Sequence, residues 1–510
     1  MTQDIDRSQY LLQSRVKPTE ADRKDFGALM KVLCRPYWRR LWILQELAMS
    51  DESIAIGCGN RKFCFEEVVL ATKFVWHNLE SFLAILGAQR TDVTTLNSSM
   101  WVILFMQQLR QLSRRLEDAQ CTTYAHLQML LLNLSQNAQA TMPHDKVFGL
   151  LAIMPVTIAS KMEPYVGCAL PTEAVFIAFS KAIIECTGDL DIIFAKSLQQ
   201  TMTPSWATDW RIAPDRVSLL HDWHIYGYNQ FDKAYRSLHQ MIDTLRESRA
   251  DGGRKSRFEI LDKSSILACS GVLIGKVDGM ASDMPALGAL SFSDCEHIQP
   301  QHQHNPYGDD KATSRALVHT LFANPVWGDS EHAALLHIPW LAGESYSTDL
   351  NHEFSIDDNQ KENFQQMHQD GWGFIFSYGN FFSFELFRRR LGRFRIGGKR
   401  FQDYFDQKIV ECLLPQDRIY LDLAKVVGGH LGRRLITLTT GHFGLAPNTI
   451  KPDDVIYIIL SCSLPVVLRP VAGTCHFRVV GECYIEGFSR GEAIMGLDKG
   501  KYRLQKISLY

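Results

Sequence analysis

A tryptophan and a glutamate four residues apart are the clearest candidates for chemistry in this chain. Trp42 and Glu46 lie in the segment Arg35 to Ala48, which is rich in tryptophan and largely apolar. Residues at this spacing share one face of a helix, so the indole ring is predicted to flank the carboxylate. A flanking ring can raise the pKa of a carboxylic acid or pack against a sugar. The structural alternative is that Glu46 pairs with Arg39 or Arg40, or caps a neighbouring loop.

One cysteine and three histidines in a polar segment have the residue types of a zinc site. They are Cys295, His297, His302 and His304. Their spacing, Cys-x-His followed by four residues and then His-x-His, matches none of the common structural zinc patterns. A polar loop explains them better, and no metal site is predicted.

Basic and aromatic residues alternate between residues 387 and 401. The basic residues are Arg388, Arg389, Arg390, Arg393, Arg395, Lys399 and Arg400, and they are interleaved with Phe387, Phe394 and Phe401. Such a surface can bind nucleic acid or an acidic partner. The alternative is a solvated helix face whose phenylalanines pack inward. We favour it because the net charge of the chain is only -2, and we predict no nucleic-acid partner.

Two more acidic residues fit structural roles. Asp145 follows Pro143 and is predicted to cap a helix that begins at Lys146. Asp209 lies between two tryptophans, and a carboxylate in such a loop usually accepts hydrogen bonds from nearby backbone N–H groups. Both are therefore predicted to shape the fold.

The composition is that of a globular protein. With 510 residues, 46% hydrophobic and 22% charged, the chain is predicted to form two or three domains. No charge-free apolar run is long enough to cross a bilayer, and the first residues are too polar for a signal peptide. We therefore expect a cytoplasmic protein without membrane association. Its 12 cysteines include no Cys-x-x-Cys pair and are expected to be reduced.

Helical periodicity dominates the first two fifths of the chain. Apolar residues recur at helical intervals from Phe26 to Gln45 and from Phe65 to about Leu134, which predicts amphipathic helices followed by a helical bundle. Between them, Ile54 to Gly59 is predicted to be a short buried strand closed by a glycine turn. A further helix is predicted from Glu173 to Cys186, with Thr172 as its N-cap.

The pattern changes in the second half. Residues 285–370 hold most of the polar clusters and are predicted to form long insertions or partly mobile loops. Near the C-terminus, short β-branched runs are separated by Gly, Pro and Asp turns, at residues 435–439, 455–460, 466–468 and 477–480. A small antiparallel barrel or sandwich is the simplest way to bury them.

Four separated blocks of the sequence, taken in order, resemble one family. They are Arg35 to Ala48, Ala140 to Leu151, Pro204 to Trp210, and Gly432 to Ala493. The first resembles the tryptophan and Gln-Glu block of fungal heterokaryon incompatibility (HET) domains. The second is similar to the family's Asp-Pro-Arg-Asp-Lys-Val-Tyr-Ala-Leu-Leu element, with methionine and histidine in place of Asp and Arg.

The third and fourth blocks strengthen the resemblance. Pro-Ser-Trp-Ala-Thr-Asp-Trp at residues 204–210 is similar to the Pro-Ser-Trp-x-x-Asp-Trp signature that follows the HET region. The fourth block resembles the C-terminal module of many HET proteins, with Asp453 in place of a usual glycine and Glu486 in place of a usual histidine. The blocks span most of the chain and leave its middle poorly matched.

Two family motifs have no counterpart in the sequence. They are the opening Ser-Tyr-x-Trp-Gly strand and the Trp-Ile-Asp-x-x-Cys-Ile-Asn-Gln block. We therefore expect a truncated HET domain, of which the chain begins inside the signature region.

The resemblance implies a possible reaction for Glu46. HET domains resemble TIR-type domains, in which a Trp-x-x-x-Glu helix presents a glutamate that takes part in cleaving the nicotinamide–ribose bond of NAD. A carboxylate suits this bond because its transition state resembles an oxocarbenium ion. Because the nucleotide-binding loops belong to the missing half, the resemblance implies a catalytically incomplete protein. NAD is thus a possible substrate, and no cofactor is expected.

The family's role in the cell follows from the same resemblance. It implies heterokaryon incompatibility, non-self recognition and programmed cell death, with a protein partner or self-association. The alternative function is a TIR-like NAD glycohydrolase that uses Glu46, with Trp42 flanking it.

These observations predict an α+β chain with a partial TIR-like α/β remnant, a helical middle region and a C-terminal β barrel or sandwich. The predicted divisions are a HET remnant at residues 1–60, a helical region at 61–210, a linker at 211–257, a mixed region at 258–425 and a β-rich module at 426–510.

Overall fold

The computed structural model describes eleven continuous stretches of the chain and a few isolated positions. The stretches are residues 19–50, 54–86, 138–167, 170–197, 200–202, 204–212, 249–261, 265–282, 297–323, 391–404 and 432–510, and the isolated positions lie between 95 and 110 and at 135 and 219. The described residues fall into an N-terminal unit that ends at Val175 and a C-terminal unit that begins at Phe176.

Helices and strands occur in both units. The helices are α1 (Glu20–Leu33), α2 (Ile43–Ala48), α3 (Phe65–His77), α4 (Leu79–Leu86), α5 (Asp145–Phe148), α6 (Val156–Met162), α7 (Thr172–Thr187), α8 (Asp310–Phe322) and α9 (Glu492–Asp498). The strands are β1 (Ala55–Cys58), β2 (Arg61–Cys64), β3 (Glu259–Leu261), β4 (Ile266–Met280), β5 (Arg395–Ile396), β6 (Lys399–Arg400), β7 (Arg433–Leu438), β8 (Phe443–Pro447), β9 (Val455–Ile459), β10 (Val466–Pro470), β11 (His476–Glu482), β12 (Tyr484–Ile485) and β13 (Leu504–Leu509).

Helix α1 begins at a capping box and buries one apolar face. The hydroxyl of Thr19 accepts a hydrogen bond from the backbone N–H of Asp22, and the Asp22 carboxylate accepts one from the Thr19 backbone N–H. On the buried face, the ring of Phe26 meets that of Phe82 of α4 edge-on, with 5.5 Å between centroids. The periodicity from Phe26 onward therefore predicted this helix correctly.

Three local predictions for the N-terminal half need correction. The strand predicted at Ile54 to Gly59 is β1, but it pairs with β2 in an exposed hairpin and is not buried. Asp145 is the first residue of α5 and makes no cap, since His144 occupies the N-cap position. Thr172 is likewise the first residue of α7. Each side chain lies one residue inside the helix that it was predicted to cap.

Five strands of the C-terminal unit form a closed ring. Strand β4 pairs with β13 through its first residues and with β9 through those that follow, and the ring continues from β13 to β11, β10 and β9. The β11–β13 pair is parallel, whereas the prediction was fully antiparallel. The mixed helix and strand content and the β-rich C-terminal part are confirmed.

Strand β4 belongs to the ring and to a lateral extension. Its end, Val277 to Met280, pairs with β7, and β8 and β12 continue outward from there. The strand bends at two irregularities in register, each at a glycine, Gly275 and Gly279. Gly271 lets β9 and β13 approach closely, because a Cβ atom there would lie 2.7 Å from the Ile458 carbonyl oxygen.

The interior of the barrel is filled with aliphatic side chains. Its fully buried residues include Val272, Ile436, Leu438, Ile456, Ile458, Val467 and Ile485. One charged pair is buried with them: the Arg433 guanidinium donates to the Glu482 carboxylate at 3.0 Å, and both side chains are at most 1% exposed. Burial of the apolar side chains is the main stabilising contribution to this unit.

Part of the segment that was predicted to be loops is ordered on the barrel. Helix α8 is capped by Asp309, whose carboxylate accepts a hydrogen bond from the Ala312 N–H at 2.8 Å. The imidazole of His319 lies 2.8 Å from the Glu486 carboxylate, and the hydroxyl of Ser314 donates to the Tyr404 carbonyl at 2.6 Å. The prediction of loops for 285–370 is therefore wrong for Asp310–Phe322, whereas residues 297–309 form no helix or strand. The rest of 285–370 lies outside the described part of the chain.

The two substituted positions of the fourth block have structural explanations. Asp453 has a φ of 71°, in the left-handed region that glycine adopts most readily, and its carboxylate pairs with Lys276 at 2.6 Å. Glu486 accepts a hydrogen bond from the Tyr484 hydroxyl as well as facing His319. The replacement carboxylate at 486 thus links α8 to the sheet.

Candidate functional site

The Trp42–Glu46 pair lies on the exposed face of a very short helix. Helix α2 buries Ile43, Leu44 and Leu47 and leaves Glu46 in solvent. Trp42 precedes the helix and is 37% exposed, which is unusual for so large an apolar ring. The predicted shared face is present, but the ring does not shield the carboxylate from water.

A tyrosine, and not an arginine, is the partner of Glu46. The described residues contain no ion pair between Glu46 and Arg39 or Arg40, which was one of the structural alternatives. Instead, burial raises the pKa of the Tyr37 hydroxyl, and the charge of Glu46 and a hydrogen bond to its carboxylate raise it further. Tyr37 lies in the single 3₁₀ turn Pro36–Arg39, which brings it back beside α2.

The first and second sequence blocks contact each other in the N-terminal unit. The Gln45 side-chain amide donates to the Phe148 carbonyl at 3.1 Å, and the Leu41 N–H donates to the Gln139 carbonyl at 2.9 Å. Arg110, which lies between the two blocks in the sequence, also binds α2: its guanidinium donates to the Leu47 carbonyl at 2.5 Å. Residues about a hundred positions apart therefore hold α2 in place, as the 103-residue separation of Gln45 and Phe148 illustrates.

Lys146 of the second block is a buried cation that the sequence did not reveal. Its ammonium donates to the backbone carbonyls of Ser135, at 2.8 Å, and Ala138. Burial lowers the pKa of Lys146 to about 8. Because its donors are directed at backbone oxygens, the lysine fastens α5 to the residues before it, and we assign it no catalytic step.

The third and fourth blocks meet in the C-terminal unit. The Ser205 hydroxyl accepts a hydrogen bond from the Val479 N–H at 2.9 Å, and the indole of Trp206 donates to the Ser265 carbonyl at 3.3 Å. Asp209 is 2% exposed and accepts hydrogen bonds from the Arg211 backbone and guanidinium. The prediction that Asp209 ties a loop is confirmed, and the block as a whole docks onto the barrel.

His297 and His302 of the predicted polar loop each have a separate hydrogen-bond partner. The His297 ring accepts a hydrogen bond from the Ser282 N–H at 3.0 Å, and the His302 ring lies 2.9 Å from the Asp278 carboxylate. Cys295 lies outside the described residues. Within the described stretches, no group of three or more His, Cys, Asp or Glu side chains is arranged to hold a metal ion.

The basic segment forms a hairpin where a helix face was predicted. Strands β5 and β6 carry Arg395, Lys399 and Arg400 outward, while Phe394 and Phe401 are completely buried. The inward packing of these two phenylalanines is confirmed. Leu391 and Gly392 are helical, and the predicted helix is wrong for the hairpin from Arg395 to Arg400. Phe387 and the three arginines after it lie outside the described residues.

Comparison with known families identifies the C-terminal part of the chain. Residues 398–503 match the Het-6 beta-barrel domain. This domain is related to the HET family, which agrees with the resemblance of the fourth block. No curated protein and no solved structure matches the chain. Among the described residues, none of the helices is long and apolar enough to span a membrane.

The match covers only part of the barrel seen here. The matched residues include the seven strands from β6 to β12 and helix α9. Strands β4 and β13, which close the ring, lie outside the matched residues. The folded barrel therefore needs Ile266 to Met280 from well before the matched region.

Proposed function

We propose that this protein acts in heterokaryon incompatibility, as a non-self recognition protein whose recognition leads to programmed cell death. The match of residues 398–503 to the Het-6 beta-barrel domain carries this proposal. Recognition involves a protein partner or self-association, and the N-terminal unit belongs to a TIR-like domain. The site of action is the cytoplasm.

The packed interior of the barrel supports partner binding on its outer surface. Its interior positions are aliphatic and fully buried, as at Val272, Ile458 and Val467, so the packed side chains take the place that a ligand would occupy. The partner therefore binds the outer surface of the barrel and its loops, which tolerate sequence variation more readily than the core.

Expression in a panel of fungal strains tests this proposal. We expect a sharp loss of viable transformants in strains that carry an incompatible genotype and normal viability in compatible ones. The Glu482→Ala variant is the control, because it disrupts the barrel core and should restore viability throughout. Equal viability of all strains with the intact chain would contradict the proposal.

A second candidate function is cleavage of NAD by Glu46. The exposed indole of Trp42 beside the exposed Glu46 carboxylate favours it, since this surface is open to a sugar-containing ligand. Release of nicotinamide from NAD separates the two proposals. The recognition proposal expects no release above buffer.

The enzyme proposal makes a sharper prediction in the same assay. Release should fall by about 100-fold or more in Glu46→Gln, as expected when a catalytic carboxylate is lost. Glu163→Gln is the matched control, since Glu163 is an exposed glutamate elsewhere in the N-terminal unit. Equal release by Glu46→Gln and Glu163→Gln would rule out catalysis by Glu46.

A further inference from the structure

A cluster of charged side chains is buried where three separate stretches of the C-terminal unit meet. The cluster contains Asp189 and Asp191, Arg249 and Asp251, and it borders the turn at Ser461 to Ser463. All three aspartates are at most 6% exposed. Buried carboxylates are costly unless each is paired or neutral, so the partners of each one decide its charge.

Arg249 binds two of the three aspartates. Its guanidinium binds Asp251 through two hydrogen bonds of 2.9 Å each, and it reaches Asp189 at 3.2 Å. Lys255 approaches Asp189 from the exposed side at 3.6 Å. A forked guanidinium–carboxylate pair of this kind is the strongest arrangement available to such ions.

Asp191 is the carboxyl group left without a cation in direct contact. Its oxygens accept hydrogen bonds from the Ser463 N–H at 2.7 Å and lie 2.6 Å from the Ser463 hydroxyl. Both partners are neutral. Three carboxylates face two cations in the described part of the chain, so one buried negative charge would remain if all were ionised.

We propose that Asp191 is protonated in the folded protein and forms a pH-sensitive latch between the Asp191–Phe194 turn and the Ser461–Ser463 turn. As a neutral acid, the carboxyl group can donate its proton to the Ser463 hydroxyl and still accept from the Ser463 N–H. Loss of the proton at alkaline pH places an unpaired charge beside Asp189 and weakens the latch.

The surroundings of Asp191 agree with this assignment. Burial and, after it, the charge of Asp189 raise the pKa of the Asp191 carboxyl to about 8, although Arg249 and the Ser463 hydrogen bonds oppose the shift. The remaining titratable neighbour is Cys462, whose thiol pKa is raised well above its usual value by burial and by these aspartates. The thiol therefore stays neutral and adds no compensating charge.

The sign of the pH dependence follows from these values. The folded pKa of Asp191 lies above the unfolded value of about 3.9, so the folded state holds a proton that the unfolded state has lost. The stabilisation is complete below the unfolded pKa and is lost as the pH rises through about 8. Between roughly pH 6 and pH 9, the folding equilibrium constant should fall by about a hundredfold from this group alone.

Asp191→Asn tests the latch, with Asp498→Asn as the matched control, since Asp498 is an exposed aspartate of the same unit that pairs with Arg254. Urea unfolding of the full chain would be followed by tryptophan fluorescence near pH 6 and near pH 9. We expect Asp191→Asn to remove most of the pH dependence, because asparagine is a neutral isostere of the protonated acid. Asp498→Asn should instead keep the dependence, because it removes only an exposed ion pair.

An infrared measurement keeps the proposal testable if a variant does not fold. The unmodified chain near neutral pH should show the carbonyl band of a protonated buried carboxylic acid, which disappears as the pH passes about 8. An unchanged pH dependence in Asp191→Asn, or the lack of this band, would show that Asp191 is ionised and would overturn the proposal.

Discussion

Glu482→Ala will destabilise the C-terminal barrel by about 3–5 kcal/mol, because it leaves a buried guanidinium without its carboxylate. Glu482 is fully buried and Arg433 is 1% exposed, so water cannot replace the lost partner. The two residues lie on different strands, β11 and β7, and their contact joins the ring to the lateral extension. A loss of this size is a large part of the stability of an ordinary domain.

Urea unfolding monitored by tryptophan fluorescence would measure this loss. Lys276→Ala is the control, since it removes an exposed ion pair of the same unit and should cost at most about 1 kcal/mol. Combining Glu482→Ala with Arg433→Met should cost less than the sum of the two single changes, because the two side chains contact each other. Similar losses in Glu482→Ala and Lys276→Ala would show that the buried pair is not a core element.

Trp206→Ala will destabilise the same unit by about 3–5 kcal/mol, the usual effect of removing a large buried ring. Trp206 is completely buried, and its indole holds the Ser265 carbonyl just before β4 begins. The change therefore opens a cavity and leaves that carbonyl without its donor. Loss of this anchor should release the third block from the barrel.

Phenylalanine substitutions separate the contribution of ring packing from that of the indole hydrogen bond. Trp206→Phe keeps most of the ring but loses the hydrogen bond to Ser265, which adds about 1–3 kcal/mol to the packing loss. Trp210→Phe loses only packing, because the buried indole nitrogen of Trp210 has no hydrogen-bond partner among the described residues. Thermal unfolding of both variants should therefore place Trp206→Phe below Trp210→Phe. The reverse order would contradict the assigned role of the Trp206 indole.

Local sequence patterns predicted the strands and a barrel or sandwich to bury them, but not the strands that close the ring. The β-branched runs at residues 455–460 and 466–468 correspond to β9 and β10. Strand β4 went unrecognised because its small and polar positions interrupt the period, and several of them are glycines required where strands approach or bend. Pairing between strands so far apart along the chain leaves no local signal, so the ring could not be inferred.

At the candidate site, too, the sequence predicted local relations but not contacts that depend on the fold. Helical spacing correctly placed Trp42 and Glu46 on one face, since that relation is local. The contact with Tyr37 depends on a 3₁₀ turn, which spacing alone does not predict. The sequence holds a weak indication that Asp191 is buried, which our predictions did not use. Asp191 is the single carboxylate in the apolar run Leu190 to Phe194, a pattern that indicates a buried polar group.

Strand β13 lies between β4 and β11 and completes the ring. During synthesis β4 leaves the ribosome long before β13, so its hydrogen-bonding edges stay open while the intervening chain is made. Open edges can pair with other chains, and closure over such long sequence separations is slow. Aggregation therefore competes with folding from the synthesis of β4 until the ring closes, and chaperones would have their largest effect in this interval.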